Sequence, residues 1–410
     1  MQPLHHSPEF GTMTRRLRIA VLIEAQCKSL RSTLRGIAAY GRDHGPWLLY
    51  HQEGPLDRAV VARLHDWGGD GIMFLTESRE LVQAIHQLGV PSLNLFEASG
   101  NDDMIQMAHH DQRVAQQAAE HLLQRGFEHF AYCGFQGVWW SERRAEAFAA
   151  HLAQRGLPSH AFTSLRAETR VSGNRLSLMG GGRCQEDSLA QWLAKLPQPV
   201  GLMACNDSCG QLVLRTCGEL GVMVPEQMAV VGVDNDDLIC ELCDPPLSSV
   251  DANFEKMGYA AAAAMVGVIQ GDRHPTGGQL VEPLGVVLRE STDVQAISDR
   301  DVATALHFIR QHSCEGIGVE DVCRAVRLSR STLERRFTKL VGRPPRDEIS
   351  RRQLERVKSL LTQTEFPLKK IAELAGFNYL ETMCRVFKRR TGQSPIAYRT
   401  LHKTQKPCTP

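Results

Sequence analysis

Residues 200–233, VGLMACNDSCGQLVLRTCGELGVMVPEQMAVVGV, place two short apolar runs on either side of a longer segment. The runs VGLMAC and MAVVGV are strand-length, and 207–220 between them has the length of a helix. Short strands joined through a helix lie side by side and parallel, with a right-handed crossover. Upstream the order repeats. Helices are expected over 112–125, 141–155 and 186–196, with the strand HFAYCG at 129–134 and a stretch without clear period from 164 to 183. An earlier round alternates LRIAVLI (17–23), WLLYHQE (47–53), GIMFL (71–75) and PSLNLF (91–96) with helical segments at 29–44, 57–67 and 79–88. The same architecture occurs twice in tandem, which predicts two α/β lobes with ligand-binding loops beyond the carboxyl ends of the strands.

A chain of 410 residues has room for two to three domains at roughly 100 to 200 residues each. Composition is ordinary for a globular protein, and no apolar run approaches the roughly 18 to 20 residues that cross a bilayer. MQPLHHSPEFGT, before Met13, has neither signal-peptide nor helical pattern and reads as a remnant of recombinant expression, so residues 1–13 are set aside. The apolar run at 17–23 is too short for a secretory core, which places the protein in the cytoplasm. The twelve cysteines are then expected as reduced thiols. The pairs Cys205/Cys209 and Cys240/Cys243 have spacings a metal can use but no clear matching second half, and no metal or cofactor is expected.

Net charge hides an asymmetry. From Ser298 onward there are 23 Lys+Arg against 12 Asp+Glu, a net of +11, while the remainder carries −10. The basic end suits an anionic partner such as nucleic acid, or is a solvated basic face. Strand signals stop there, and Val302, Ala305, Leu306 and Ile309 recur at helical spacing, so the boundary falls at 295–299. In GIGVEDVCRAVRLSRSTLERRFTKL a helix at 319–325, a tight turn, Ser329 as N-cap and a helix at 330–340 make a helix-turn-helix over about 318–340. Val322, Leu328, Leu333 and Phe337 face inward, leaving Arg330, Ser331, Thr332, Arg335, Arg336 and Lys339 for bases and phosphates. A second unit follows at about 368–391, with helices at 368–375 and 380–391 and Ile371, Ala372, Phe377, Met383 and Phe387 as its core. Asn378, Glu381, Thr382, Arg385, Lys388 and Arg389 are its DNA-facing candidates. Lys388, Arg389 and Arg390 suit phosphates, whereas Arg335 and Arg385 suit guanine. Leu354, Val357 and Leu361 lie on one face of a long helix after Pro345 that holds the units apart. Recognition helices about 34 Å apart enter successive major grooves.

The run IAELAGF with RVFKRRTGQSPIAYR closely resembles the AraC family signature. The chain departs from that pattern at Tyr379, where an acidic turn residue is usual, and at Glu381, Thr382 and Met383, where a polar Ser–aromatic pair is usual. The resemblance makes residues 296–410 an AraC-type DNA-binding domain. Residues 14–295 resemble the effector domain of LacI-type regulators, two Rossmann-like lobes of the periplasmic-binding-protein kind. That likeness rests on HDQRVAQQAAEHLLQRGFEHFAYCG, ERRAEAF, GLMACNDSCGQLVLRTCGELGVMVPEQMAVVGVDNDD and PPLSSVD.

Position by position, this second resemblance implies ligand contacts at Asp111, Arg144, Asn206 and Asp234, with the loop 26–31, and Arg31 in particular, closing the other side. Carboxylates, an amide and a guanidinium each bind adjacent sugar hydroxyls. Trp139 and Trp140 either lay an indole on a sugar ring or pack in a core or interface. Each polar residue also has a plainer role: Asp207 or Asn206 as a helix cap, Asp111 as a cap, Asp234 as a turn residue, and Arg144, with Arg143 as its alternate, as a surface charge. The combination of sensor and DNA-binding part resembles the regulators of xylose operons. It implies D-xylose as effector, a double-stranded operator, a homodimer formed through the sensor lobes, and activation through RNA polymerase, with no membrane partner. A different sugar, or a metal or redox sensor built on the cysteines, is the alternative. An alkyl-transfer enzyme would need an activated cysteine, and no Cys–His pair is placed for one.

Overall fold

In the computed structural model, residues 15–52, 54–76, 78–95, 107–165, 168–169, 176–177, 183–271 and 279–403 are described. Residues 1–13 and much of the patternless stretch at 164–183 lie outside them. The first lobe is a parallel sheet of β1 (Arg18–Leu22), β2 (Leu48–His51), β3 (Gly71–Phe74) and β4 (Ser92–Asn94), in the order β2-β1-β3-β4. Its strands are linked by α1 (Lys28–Asp43), α2 (Arg58–Leu64) and α3 (Arg79–His86). After β5 (Met107–His109) the chain builds the second lobe with α4 (Asp111–Leu123), β6 (His129–Phe135), α5 (Trp139–Ala153) and β7 (Ser159–Leu165). A short antiparallel pair, β8 (Glu168–Thr169) and β9 (Leu176–Ser177), leads to α6 (Arg183–Leu193), β10 (Val200–Ala204), α7 (Asp207–Leu220), β11 (Met228–Val233), α8 (Asp237–Leu242) and β12 (Ser248–Asp251). The segment read first, 200–233, is the centre of this sheet, and β10 and β11 are buried along their whole length.

The lobes are not two tandem units. After β12 the chain returns to the first lobe as α9 (Phe254–Gln270), then pairs β13 (Gln279–Val281) in parallel with β5, and crosses again to add β14 (Gly285–Val287) to the second sheet. That sheet has the order β14-β12-β11-β10-β6-β7, antiparallel only at β14. Helix α9 buries Met257, Ala261, Ala262 and Met265 among Ile19, Val21, Ile37 and Met73 of the first lobe. Two glycines permit the approach. A Cβ on Gly36 would stand 1.9 Å from the Glu255 carbonyl oxygen, and one on Gly258 1.9 Å from that of Thr33. The chain therefore crosses between lobes three times, which makes a hinge of several strands.

The remainder is helical: α10 (Arg300–His312), α11 (Val319–Val326), α12 (Arg330–Val341), α13 (Pro345–Gln363), α14 (Leu368–Leu374), α15 (Leu380–Thr391) and α16 (Pro395–Lys403). Phe337, Leu333 and Val322 form one core with Val302, Leu306 and Ile309; Phe387, Met383 and Ile371 form another with Leu354, Val357 and Leu361. Leu328 and Phe377 are half-buried at the edges of these cores. Helix α13 belongs to both, giving Ile349 to the first and Leu354 onward to the second. Its Gln353 amide donates to the carbonyls of Ser313 (3.1 Å) and Gly376 (3.0 Å), pinning the two units together. Gly376 has φ +77°, and a Cβ there would meet the Cys314 backbone at 2.7 Å, so only glycine fits this turn.

Candidate functional site

The cleft is organised by Arg144 on α5, which is 4% exposed. Its Nε donates to Asp111 Oδ1 at 2.8 Å and its Nη1 to the Cys205 carbonyl at 2.7 Å, while Nη1 stands 4.0 Å from Asp234 Oδ1. One guanidinium thus ties the start of α4 to the carboxyl ends of β10 and β11, and the surface-charge role falls away. Burial works against its charge, but Asp111 and Asp234 outweigh that and raise its pKa. Asp111 is the first residue of α4, and the cap is His110, whose Nδ1 accepts from the Arg113 amide. Asp234 and Asn235 have φ of +100° and +50°, left-handed backbone that turns the chain out of β11. Burial pushes the Asp234 carboxyl up to about 7 against the pull of Arg144.

At β10 the cap is Asn206, whose Oδ1 accepts from the Cys209 amide at 2.9 Å. Asp207, the other candidate for that role, turns inward instead. Its carboxylate accepts from Ser249 Oγ (2.5 Å) and the Asp236 amide (2.6 Å), where the strand ends bring a hydroxyl and a backbone donor to it. Trp140 lies over the guanidinium of Arg144 at 5.0 Å and packs edge-on against Phe135, whereas Trp139 lies over that of Arg143. Arg31 is exposed and folds back on its own loop, reaching the carbonyls of Ala25 (3.3 Å) and Gln26 (3.4 Å). The residue that spans the cleft is Lys28. Its Nζ donates to the Asn235 carbonyl at 2.5 Å and pairs with Asp237 at 3.3 Å, and its amide donates to Asp236. The resemblance implies closure by the loop 26–31 through Arg31; the residue of that loop that makes the contacts is Lys28.

Beneath the cleft, His121 is buried and bonds Thr292 Oγ1 at 2.8 Å. Burial and the neighbouring Arg125 lower its pKa to about 3. A histidine held neutral in the fold and protonated when unfolded withdraws stability as pH falls from about 6.5 toward 3, by up to about 1.4 kcal/mol per pH unit. Urea melts at intervals from pH 7 to 4 are expected to show this acid limb, and His121→Gln to flatten it. Equal slopes in the two proteins would refute the assignment.

The helical part presents a second candidate surface. Helices α12 and α15 have the same pattern of burial fifty residues apart, so Leu333 matches Met383, Phe337 matches Phe387, and the exposed Arg335 matches Arg385. Ser331, Lys339, Asn378, Glu381, Lys388, Arg389 and Arg390 are also exposed, and Thr332 and Thr382 are half-buried. Arg330 is exposed and pairs with Glu320 and Glu334, contacts weak enough to exchange for phosphate. Arg336 departs from expectation. Its fork grips Asp299 through Nε at 2.7 Å and Nη2 at 2.5 Å, and Asp301 at 3.1 Å, so it fastens α12 to the start of α10. The helical period had put it on the outside, but the boundary acids that claim it lie more than thirty residues away.

The periplasmic binding protein-like domain family matches residues 119–292, and a helix-turn-helix domain family matches residues 322–400. The xylose operon regulatory protein of Escherichia coli (strain K12) is 30% identical over 400 residues, 95% of this chain and 98% of that protein. The chain belongs to the xylose operon regulatory protein family. The Haemophilus influenzae protein of the same description is 30% identical over 289 residues, 70% of this chain and 72% of the relative. A solved structure described as that of the xylose-binding transcription activator xylR superposes with a TM-score of 0.78 at 28% identity, covering 95% of this chain and 99% of that one. As a member of the xylose operon regulatory protein family, the chain is a DNA-binding transcription regulator. Among the described residues, no helix is long and apolar enough to cross a membrane.

Proposed function

We propose that this regulator binds a pentose, D-xylose, between its lobes and, as a cytoplasmic homodimer, activates sugar-use genes by placing paired helix-turn-helix units on an operator beside RNA polymerase. The observation that carries the sugar reading is the constellation of Arg144, Asp111 and Asp234 at converging strand ends, with Asn206 beside it and Lys28 opposite. Carboxylate and guanidinium side by side satisfy vicinal hydroxyls in both senses, one accepting and one donating. Trp140, its ring already beside the Arg144 guanidinium, adds an apolar wall. Sugar closing the cleft engages both lobes at once, so the closed form is selected to the extent that it binds sugar better. Association through the sensor lobes and contact with RNA polymerase are part of the same proposal, and the likeness to a structure described as a xylose-binding transcription activator supports activation.

Isothermal titration with a panel of pentoses and hexoses tests it. D-xylose is expected to bind, and Asp234→Ala to weaken it roughly 10- to 150-fold, the worth of one charge-assisted hydrogen bond. A hexose preferred over every pentose would replace the effector, and D-xylose binding undiminished in Asp234→Ala would move the site elsewhere.

A further inference from the structure

We infer that Glu226 is a positioning residue that fastens the first helix-turn-helix unit to the second lobe and passes the state of the cleft to it; the inference rests on the sugar-sensing reading above. Glu226 lies between α7 and β11, and its side chain is fully buried. One carboxylate oxygen meets Arg310 Nε at 3.1 Å and the other meets His307 Nδ1 at 3.4 Å, and both partners stand on α10. The sensor supplies the acid and the DNA-binding part supplies its partners. Burial alone would lift the Glu226 carboxyl, but His307 and Arg310 outweigh it and hold it below its ordinary value. A charge so placed cannot leave its partners for water, so α10 moves with the second lobe.

The other nitrogens of Arg310 reach the segment that joins the two parts: Nη1 meets Glu290 at 3.5 Å and Nη2 the Asp293 carbonyl at 3.5 Å. On α13, Arg352 pairs with Asp293 at 3.3 Å. The same segment begins at Arg289, whose Nη2 donates to Asn235 Oδ1 at 2.8 Å and whose Nη1 donates to the Leu247 carbonyl at 3.0 Å. Asn235 follows Asp234, and its carbonyl is the acceptor that Lys28 reaches from the first lobe. A change at the 234–235 turn therefore displaces Arg289, then Glu290 and Asp293, which share Arg310 with Glu226. Contiguous ionic contacts of this kind carry a displacement at one site to the elements that share them.

Hydrogen exchange on the full chain, with and without saturating D-xylose, tests the relay. In the wild type, amides of both the lobes and α10 are expected to change their exchange rates severalfold on sugar addition. Glu226→Gln, and separately Arg310→Gln, should keep the response in β11 and α7 and lose it in α10. A structural role alone would raise α10 exchange without touching its dependence on sugar. The relay is overturned if the lobes respond and α10 does not, or if α10 responds equally in the variants. Silence of the lobes themselves toward D-xylose would bring down the sensing reading instead.

Discussion

Arg144→Ala is expected to abolish measurable sugar binding and to remove about 3–5 kcal/mol of stability, the usual consequence of taking one partner from a buried ion pair. The substitution leaves Asp111, 6% exposed, without its cation and the Cys205 carbonyl without its donor. Asp234, with a carboxyl already pushed up to about 7 by burial, loses the guanidinium that pulls it down. Arg144→Lys keeps the charge but presents an ammonium in place of a planar fork, so it is expected to recover only part of the loss. The pair Asp111→Leu with Arg144→Met separates the two roles. Stability should return, because a buried ion pair exchanged for apolar side chains of similar volume is often neutral or better. Sugar binding should not return. Urea titration and calorimetry of the three variants check this. An Arg144→Ala protein within the error of wild-type stability, with sugar affinity intact, would show the constellation to be peripheral.

Joint replacement of Arg335 and Arg385 by alanine should produce the second large effect. Each is exposed on the same turn of its recognition helix, and each bidentate contact to guanine discriminates by about 1–3 kcal/mol. They stand on helices belonging to separate cores. Their contributions should therefore add, to about 2–6 kcal/mol for the double variant. Fluorescence anisotropy with a duplex selected by the full chain from a randomised library measures the loss. The same assay sorts base contact from phosphate contact. Lys388→Ala and Arg389→Ala should weaken all sequences alike and lower the salt slope by about 1 each, whereas the arginine variants should relax preference at one base pair per unit. Undiminished preference in the double variant would hand recognition to other residues of α12 and α15.

Legibility along the chain followed the strength of the local signal. Helix α15 runs over Leu380–Thr391 as its period predicts, because apolar Met383 and Phe387 alternate with charges over a full amphipathic face. Helix α6, expected at 186–196, begins three residues earlier at Arg183–Leu193, in a stretch whose approach has no clear period. Helix α9 went unread. Its five consecutive alanines, 260–264, give no contrast between faces, and local pattern cannot say which lobe a helix will join. In the cleft, motif likeness brought Asp111, Arg144, Asn206 and Asp234 forward, and the structure sets them around one guanidinium and its strand ends. That likeness singled out Arg31 rather than Lys28 in the loop 26–31, and local pattern gave Asp207 only a cap's role and left Arg289 out, because their partners lie 29 residues away or more.

By itself the sequence determined what local chemistry specifies: apolar periods that make strands and helices, caps such as Ser329, a basic C-terminal part after an acidic N-terminal one, and two helix-turn-helix units with matched arginines. Tertiary structure alone decided which charges are spent inside the molecule. Arg335 and Arg336 are neighbours of the same type, yet one faces solvent and the other is held by Asp299 and Asp301. Glu226 reads as a loop acid until α10 packs over it. The reason is physical: a charge acquires its role from the burial and partners that folding assembles, and these come from residues far apart in the chain.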